Sequence, residues 1–296
     1  MHLGKRYVAS TRTFGMFVPI LLVLACALLA GIAIAQPAPP TVYTAIAFPL
    51  GPEHSTEAIN AAGEIIGNYG DTSGHSYVLR DGKVTVIDYP GATDTIVFGI
   101  NNLGEIVGGY GAPDGSGHGL LLSHGVFTAI DYPGSTFTRA FGINTAGDMV
   151  GYYRVGSGPR HGFLLSHGTF ASIDVSGATD TRAQGINSQG DIVGRYTSAG
   201  VVHGFLLQQG VFTSVDYPGS INTQATGINP AGEIVGGYQD QDGNDHGFLS
   251  YQGSFTSIDF PAALATRAFG INPVGDIVGD YLAEDFKFHG FLLTRQ

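Results

Sequence analysis

Six copies of one phrase fill residues 42–296, and this repetition limits the fold more than any other feature of the chain. Each copy reads roughly F-T-x-I-D-Y-P-G, then T-x-x-x-G-I-N-x-x-G-(D/E)-I-V-G-x-Y, then H-G-F-L-L-x-x-G. The Ile-Asn pair ends at Asn60, Asn101, Asn144, Asn187, Asn229 and Asn272, a period of 41 to 43 residues. A period near forty with four strand-like runs per copy is the pattern of propeller blades. The expected fold is therefore all-β: a six-bladed β-propeller of four-stranded blades. A β-solenoid is the rival, but four strands and three kinds of turn per copy suit it less well.

The third copy shows the runs clearly. Thr138–Asn144, Asp148–Tyr153, His161–Leu165 and Thr169–Asp174 are each short and bounded by turn residues. Asn144-Thr-Ala-Gly147 fits a type I turn closing on a left-handed residue. His167-Gly168 fits a two-residue hairpin, as do Asp81-Gly82, His124-Gly125, Gln209-Gly210 and Gln252-Gly253. Phe163 and Leu165 face one side of their strand and Leu164 the other, so the sheet is covered on both faces. The sixth copy stops at Gln296 without its F-T-x-I-D strand, while Val42–Ile46 is a spare strand at the other end. Pairing of this N-terminal strand with His289–Leu293 would close the last blade and remove an open edge.

Residues 1–35 read as a signal peptide or N-terminal membrane anchor. Lys5, Arg6 and Arg12 precede an apolar run from Phe14 to Ala35, and Ala33-Ile-Ala35 before Gln36 is a small-x-small cleavage pattern. The run of 22 residues is also long enough to span a bilayer. Residues 36–41 form a Pro-rich spacer before the repeat domain, 42–296. The expected location is secreted, periplasmic or at the cell surface, with membrane contact only through an uncleaved N-terminus. Without the leader the chain keeps 10 basic residues against 24 acidic ones, a net charge of −14. Nucleic acid is a poor partner for such a chain, because phosphates demand a basic face. The single cysteine, Cys26, lies in the leader, so the repeat domain has neither disulfides nor thiolate chemistry.

The recurrent H-G-F together with G-I-N-x-x-G-(D/E)-I-V-G resembles the bacterial extracellular HAF repeat proteins. The signature appears as His161-Gly162-Phe163, with Gly in place of Ala, and as His75-Ser76-Tyr77 in the most divergent copy. The resemblance covers nearly all of residues 42–296. It implies an exported repeat protein and brings no catalytic residues with it.

The copies serve as an internal alignment: a residue kept in all six serves every blade, and a ligand site belongs where they differ. Counting outward from the hairpins pairs His75 with Asp88, His118 with Asp131, His161 with Asp174, His203 with Asp216 and His246 with Asp259. Five His–Asp pairs resemble catalytic dyads, but no nucleophile recurs beside them, so they read as structural cross-strand pairs. His289 should face Ala47 of the closing strand and lack an acid. The repeated acids Glu64, Glu105, Asp148, Asp191, Glu233 and Asp276 read as solvated rim charges rather than a cation-binding ring. Gly-x-Ser-x-Gly, His-Glu-x-x-His and phosphate-loop motifs are all missing from the sequence.

Two features differ between copies. The loop Asp240-Gln-Asp242-Gly-Asn244-Asp245 alternates oxygen ligands around a Gly, so calcium is the one cofactor to consider, although the spacing departs from a calcium loop. Arg139, Arg154, Arg160, Arg182, Arg195 and Arg267 cluster on the upper half of the innermost strands and adjoining loops, and other copies carry Ser55, Ile96 or Gln224 at the place of Arg139. Guanidinium groups gathered in an acidic protein suit a carboxylate or acidic sugar. The expected function is thus a non-catalytic binding module. Its partner would be a glycan, a small anion or a protein at the channel mouth. A lyase or hydrolase acting on carbohydrate, with two carboxylates in one pocket, and a structural matrix or adhesion repeat are the alternatives.

Overall fold

In a computed structural model the described residues are 41–49, 51, 53–70 and 74–295, all strands, turns and loops. The leader and residues 36–40 lie outside them. The strand β1 (Thr41–Ala45) comes first. Five sheets of four follow in chain order: β2 (His54–Ile59), β3 (Ile65–Tyr69), β4 (His75–Arg80) and β5 (Lys83–Ile87); β6 (Asp94–Ile100), β7 (Ile106–Gly111), β8 (Gly117–Ser123) and β9 (Val126–Ile130); β10 (Phe137–Ile143), β11 (Met149–Arg154), β12 (His161–Ser166) and β13 (Thr169–Ile173); β14 (Asp180–Ile186), β15 (Ile192–Ser198), β16 (Val201–Gln208) and β17 (Val211–Ser214); β18 (Asn222–Ile228), β19 (Ile234–Gln239), β20 (Asp245–Tyr251) and β21 (Ser254–Ile258). The sixth sheet is β22 (Ala265–Ile271), β23 (Ile277–Leu282), β24 (Phe288–Arg295) and β1, which pairs antiparallel to β24 with Thr41 opposite Arg295 and Ala45 opposite Phe291. The first and last described strands thus share one sheet.

The hairpins form where the sequence places them. Asp81, His124, His167, Gln209 and Gln252 have φ of 48–50° and the Gly after each has φ of 74–80°. Two consecutive positive φ values match the right-handed twist of the strands they join. The G-I-N Gly serves a different end. A Cβ on Gly185 would lie 2.9 Å from the Thr226 carbonyl and 3.2 Å from the Gly227 Cα, so it lets neighbouring innermost strands come together.

The second strand of each sheet is buried on both faces, while the outermost strand is largely exposed. The Phe of H-G-F is 0–1% exposed at Phe163, Phe205, Phe248 and Phe291, and so is the Val of I-V-G at Val150, Val193, Val235 and Val278. They belong to separate clusters between successive sheets: Phe205 packs with Val150 and Phe248 with Val193. The sheets are not wholly regular. Each innermost hairpin has a register shift, and β8 touches β10 in parallel at Gly117 and Phe137, which joins the second and third sheets.

Among the described residues no sheet closes on itself; the circle closes between sheets, through the recurrent asparagines. The Asn60 side-chain Nδ2 donates to the Asn101 carbonyl at 3.2 Å, Asn101 to Asn144 at 3.1 Å, Asn144 to Asn187 at 3.3 Å, Asn187 to Asn229 at 3.4 Å and Asn229 to Asn272 at 3.3 Å. Asn272 then donates to the Asn60 carbonyl at 3.4 Å, 212 residues away in sequence. Each Asn Oδ1 meanwhile accepts two backbone N–H groups of its own turn; for Asn187 these are Gln189 at 3.0 Å and Asp191 at 2.9 Å. One side chain therefore folds the turn and ties its sheet to the next.

Candidate functional site

The innermost strands line an axial channel, with the asparagine ring at one end and the arginines at the other. Two residues of each strand face the axis. Nearest the ring, Glu57, Phe98, Phe141, Gln184, Thr226 and Phe269 line a constriction of about 80 Å³. One turn of the pleat higher stand Ser55, Ile96, Arg139, Arg182, Gln224 and Arg267. Across from them on the second strands lie Asn68, Gly109, Tyr152, Arg195, Gly237 and Asp280. This pair of positions is different in every copy, while the residues around it are shared.

The six predicted arginines gather at this end, but they are not equivalent. Arg267 donates to both carboxylate oxygens of Asp280, at 2.9 and 2.7 Å, and stacks 4.2 Å from the Phe288 ring. Asp280 is 2% exposed, so Arg267 is committed to a buried partner. Arg182 and Arg160 share Asp180, at 2.8 and 3.3 Å. Their guanidinium groups lie 5.4 and 5.6 Å from the Tyr152 ring. Arg139 and Arg154 flank the neighbouring Phe137 ring at 5.1 and 5.4 Å, and that ring stacks 5.6 Å from Tyr152. Among the described residues neither Arg139, Arg154 nor Arg195 has an acidic partner within 4 Å, and the Nε of Arg154 is buried without a hydrogen bond.

Arg195 is the most constrained of these. It sits directly across the hairpin from Arg182, a like-charge pair that costs stability. Its hydrogen bond runs from Nη1 to the Gln224 Oε1 at 3.1 Å. Burial, and then repulsion from Arg182 and Arg160, pulls its pKa down to about 10, which leaves it charged at neutral pH. A cavity of about 250 Å³ opens beside it, walled by Arg195, Asn222, Gln224, Tyr238, Asp245 and Arg267.

Glu57 stands alone as the carboxylate of the constriction, where other copies have Phe, Gln or Thr. Burial raises its pKa to about 7, against hydrogen bonds from the Ser55 Oγ at 2.6 Å and the Asn68 Nδ2 at 3.2 Å. Asp280 is the other acid whose field it feels. Hydrolysis of a glycoside needs a second carboxylate able to reach substrate or water. The bidentate grip of Arg267 and near-total burial withhold Asp280 from that role.

The five His–Asp pairs meet as cross-strand neighbours. Nδ1 lies 2.9 Å from Asp88 in His75, 3.0 Å from Asp131 in His118, 2.8 Å from Asp174 in His161, 3.0 Å from Asp216 in His203 and 2.7 Å from Asp259 in His246. Each imidazole also stacks on the Tyr of I-V-G-x-Y, as His161 does on Tyr153 at 5.4 Å, and Tyr153 stacks on Tyr132 of Y-P-G at 3.6 Å. The ladder is a way of packing the mouth side of each sheet. His289 departs from expectation: Asp285, in the loop before β24, lies 3.3 Å from its Nε2. That acid comes from the preceding loop and not from the closing strand, so it leaves the β1–β24 pairing untouched. The rim acids are also more occupied than expected. Glu64 accepts from Asn60 Nδ2 at 2.7 Å and pairs with Arg80, and Glu233 is held at 2.9 and 2.8 Å by Arg295.

In the loop at Asp240, one carboxylate oxygen accepts the Asp242 and Asn244 N–H groups at 2.9 Å, and the other accepts the Asn244 Nδ2 at 2.9 Å. These bonds, led by the Asn244 side chain, hold its pKa down at about 2. The Asp245 Oδ1 faces Gln239 Nε2 at 2.9 Å. The Asp240 oxygens serve the turn, and no cluster of three metal-binding side chains occurs among the described residues. No helix among them is long and apolar enough to cross a membrane.

No protein-family model and no curated protein matches this chain in sequence. Solved structures do resemble it in fold. TolB from Acinetobacter baumannii matches with a TM-score of 0.57 at 13% identity, over 82% of this chain and 64% of TolB, so the chain spans less than two thirds of that protein. A putative gluconolactonase matches at 0.53 and 13%, over 88% of this chain and 97% of that one. The Aleuria aurantia lectin, solved with Fucα1-6GlcNAc, matches at 0.53 and 11%, over 80% of this chain and 91% of the lectin. Another structure of that lectin, described as a six-bladed β-propeller, matches at 0.50. At such low identity these likenesses show the fold alone: an all-β chain of the kind found in six-bladed propellers.

Proposed function

We propose that this chain is a six-bladed β-propeller, closed by its N-terminal strand, that is exported and binds an anionic ligand at the arginine end of its channel. The observation that carries the reading is the pair Arg182 and Arg195. The two stand opposite each other in one hairpin and repel, with Arg160 nearby, and among the described residues Asp180 is the one carboxylate that pairs with any of the three. An arrangement that raises the energy of the empty site is stabilised when an anion enters it. The remainder of the protein is strongly acidic, so the positive mouth is a local exception to its charge. The leader-like N-terminus and the resemblance to HAF repeat proteins support export. Likeness in fold to a lectin that recognises fucose supports a sugar as the carrier of the charge.

The test is calorimetric titration of the protein with small carboxylates and acidic sugars, alongside Arg195→Gln. Binding that weakens at least tenfold in the variant and declines with added salt supports the reading. Equal binding by the two proteins contradicts it.

A further inference from the structure

The 250 Å³ cavity beside Arg195 is polarised, and its polarity names a ligand class more narrowly than an anion. Its cationic wall carries Arg195, paired across the hairpin with Arg182. The lining on another strand, β20, carries a carboxylate, Asp245, held in place by a relay of hydrogen bonds. The Val202 N–H donates to Asn222 Oδ1 at 3.0 Å, Asn222 Nδ2 to Gln239 Oε1 at 2.8 Å, and Gln239 Nε2 to Asp245 Oδ1 at 2.9 Å. All four residues line the cavity. The relay consumes one Asp245 oxygen and leaves Oδ2 without a protein donor among the described residues. On the cationic side Gln224 spends its Oε1 on Arg195, and its Nε2 has no acceptor among them. The other charges nearby have partners: Arg267 pairs with Asp280, Asp180 with Arg182 and Arg160, and His246, which also lines the cavity, with Asp259 and Asp240.

A bare inorganic anion or short carboxylate could use the Arg195 wall, but Asp245 would repel it. A neutral sugar could donate hydroxyls to Asp245, but would leave Arg195 facing Arg182 uncompensated. A ligand with a carboxylate at one end and hydroxyl donors at the other satisfies both walls. At about 30 Å³ per water the space equals roughly eight waters, enough for a single sugar ring. We infer that the cavity is a binding site for an acidic monosaccharide unit of the hexuronic acid class, its carboxylate on Arg195 and its ring hydroxyls on Asp245 and Gln224. This rests on the anion-binding reading above and specifies the ligand of that site. Such two-ended recognition also gives discrimination, because an analogue lacking either end leaves a polar group of the cavity unpaired.

The experiment is isothermal titration of the full chain with D-glucuronate, D-galacturonate, D-glucose, acetate and sulfate, repeated on Asp245→Asn and Arg195→Gln, with circular dichroism melts to confirm that both variants fold. The expected result is a uronate bound at least tenfold more tightly than glucose or acetate. Arg195→Gln should abolish that binding. Asp245→Asn should weaken the uronate about fivefold and leave acetate unchanged or improved. Acetate or sulfate binding as tightly as the uronates, with Asp245→Asn improving all of them, would overturn this inference while leaving the anion site standing. Glucose binding as tightly as the uronates, insensitive to Arg195→Gln, would overturn the anion reading itself. No binding of any probe would overturn both.

Discussion

The two ends of the channel are built from the same six strands and follow opposite rules. At one end every copy supplies the same residue, an Asn whose side chain closes its turn and reaches the next sheet, and the six bonds make a closed circle. At the other end every copy supplies a different pair: Ser55 with Asn68, Ile96 with Gly109, Arg139 with Tyr152, Arg182 with Arg195, Gln224 with Gly237, and Arg267 with Asp280. The first end satisfies its polar groups within the protein. The second leaves Arg139, Arg154 and Arg195 without acidic partners among the described residues. Identity across copies therefore marks assembly, and variation marks the surface available to a ligand.

Substitutions at the shared positions should break the molecule rather than the site. Phe163 is fully buried, and Phe163→Ala should cost about 3–5 kcal/mol in a denaturant titration. The asparagine ring comes next. Asn187→Ala removes the bonds to the Asn229 carbonyl and to Asp191 Oδ2 and strips two backbone N–H groups of their acceptor. We expect a loss of about 2–3 kcal/mol, whereas Arg139→Ala should change stability by about 0.5 kcal/mol or less. Comparable losses at the two positions would erase the distinction between the ends.

Glu57 tests the channel between them. Its pKa of about 7 in the folded protein stands above that of an unfolded Glu. The native state therefore binds the extra proton, and stability falls as pH rises from about 4.5 to 7. Glu57→Gln should stabilise the protein by roughly 1–3 kcal/mol at pH 8 and have little effect near pH 4, read from melts across that range. A benefit that is the same at both pH values would mean that burial of the charge is not the cause. The smallest effect belongs to the exposed ladder: His161→Ala should cost about 0.2–1 kcal/mol and leave ligand titrations unchanged.

Much of this was legible in the sequence, because the repeat period, the turn residues and the missing last strand are all properties of the chain order. The cross-strand His–Asp contacts were countable for the same reason, since a two-residue hairpin fixes register. What was not legible crosses between copies. The G-I-N Asn reads as the opening of a turn; its contact with the next sheet requires knowing how sheets abut, and the one hint was that no copy replaces it with Asp, Ser or Thr. The acid facing His289 escaped because counting across strands overlooks a loop residue such as Asp285. The commitment of Arg267 to Asp280 had a signal, an acid after I-V-G in that copy alone, opposite the arginine. Glu57 had one too, as the single acid where other copies carry Phe, Gln or Thr.

The central claim is that the arginine end is left electrostatically unsatisfied for the sake of a ligand. It is tested most directly by melting the protein and its Arg195→Met variant, each with and without saturating D-glucuronate. Relief of the Arg182–Arg195 conflict should raise the melting temperature of the ligand-free variant by about 2–4 °C, while the stabilisation by ligand seen in the parent is lost. A variant that melts lower without ligand, and is still stabilised by it as strongly as the parent, would contradict the account.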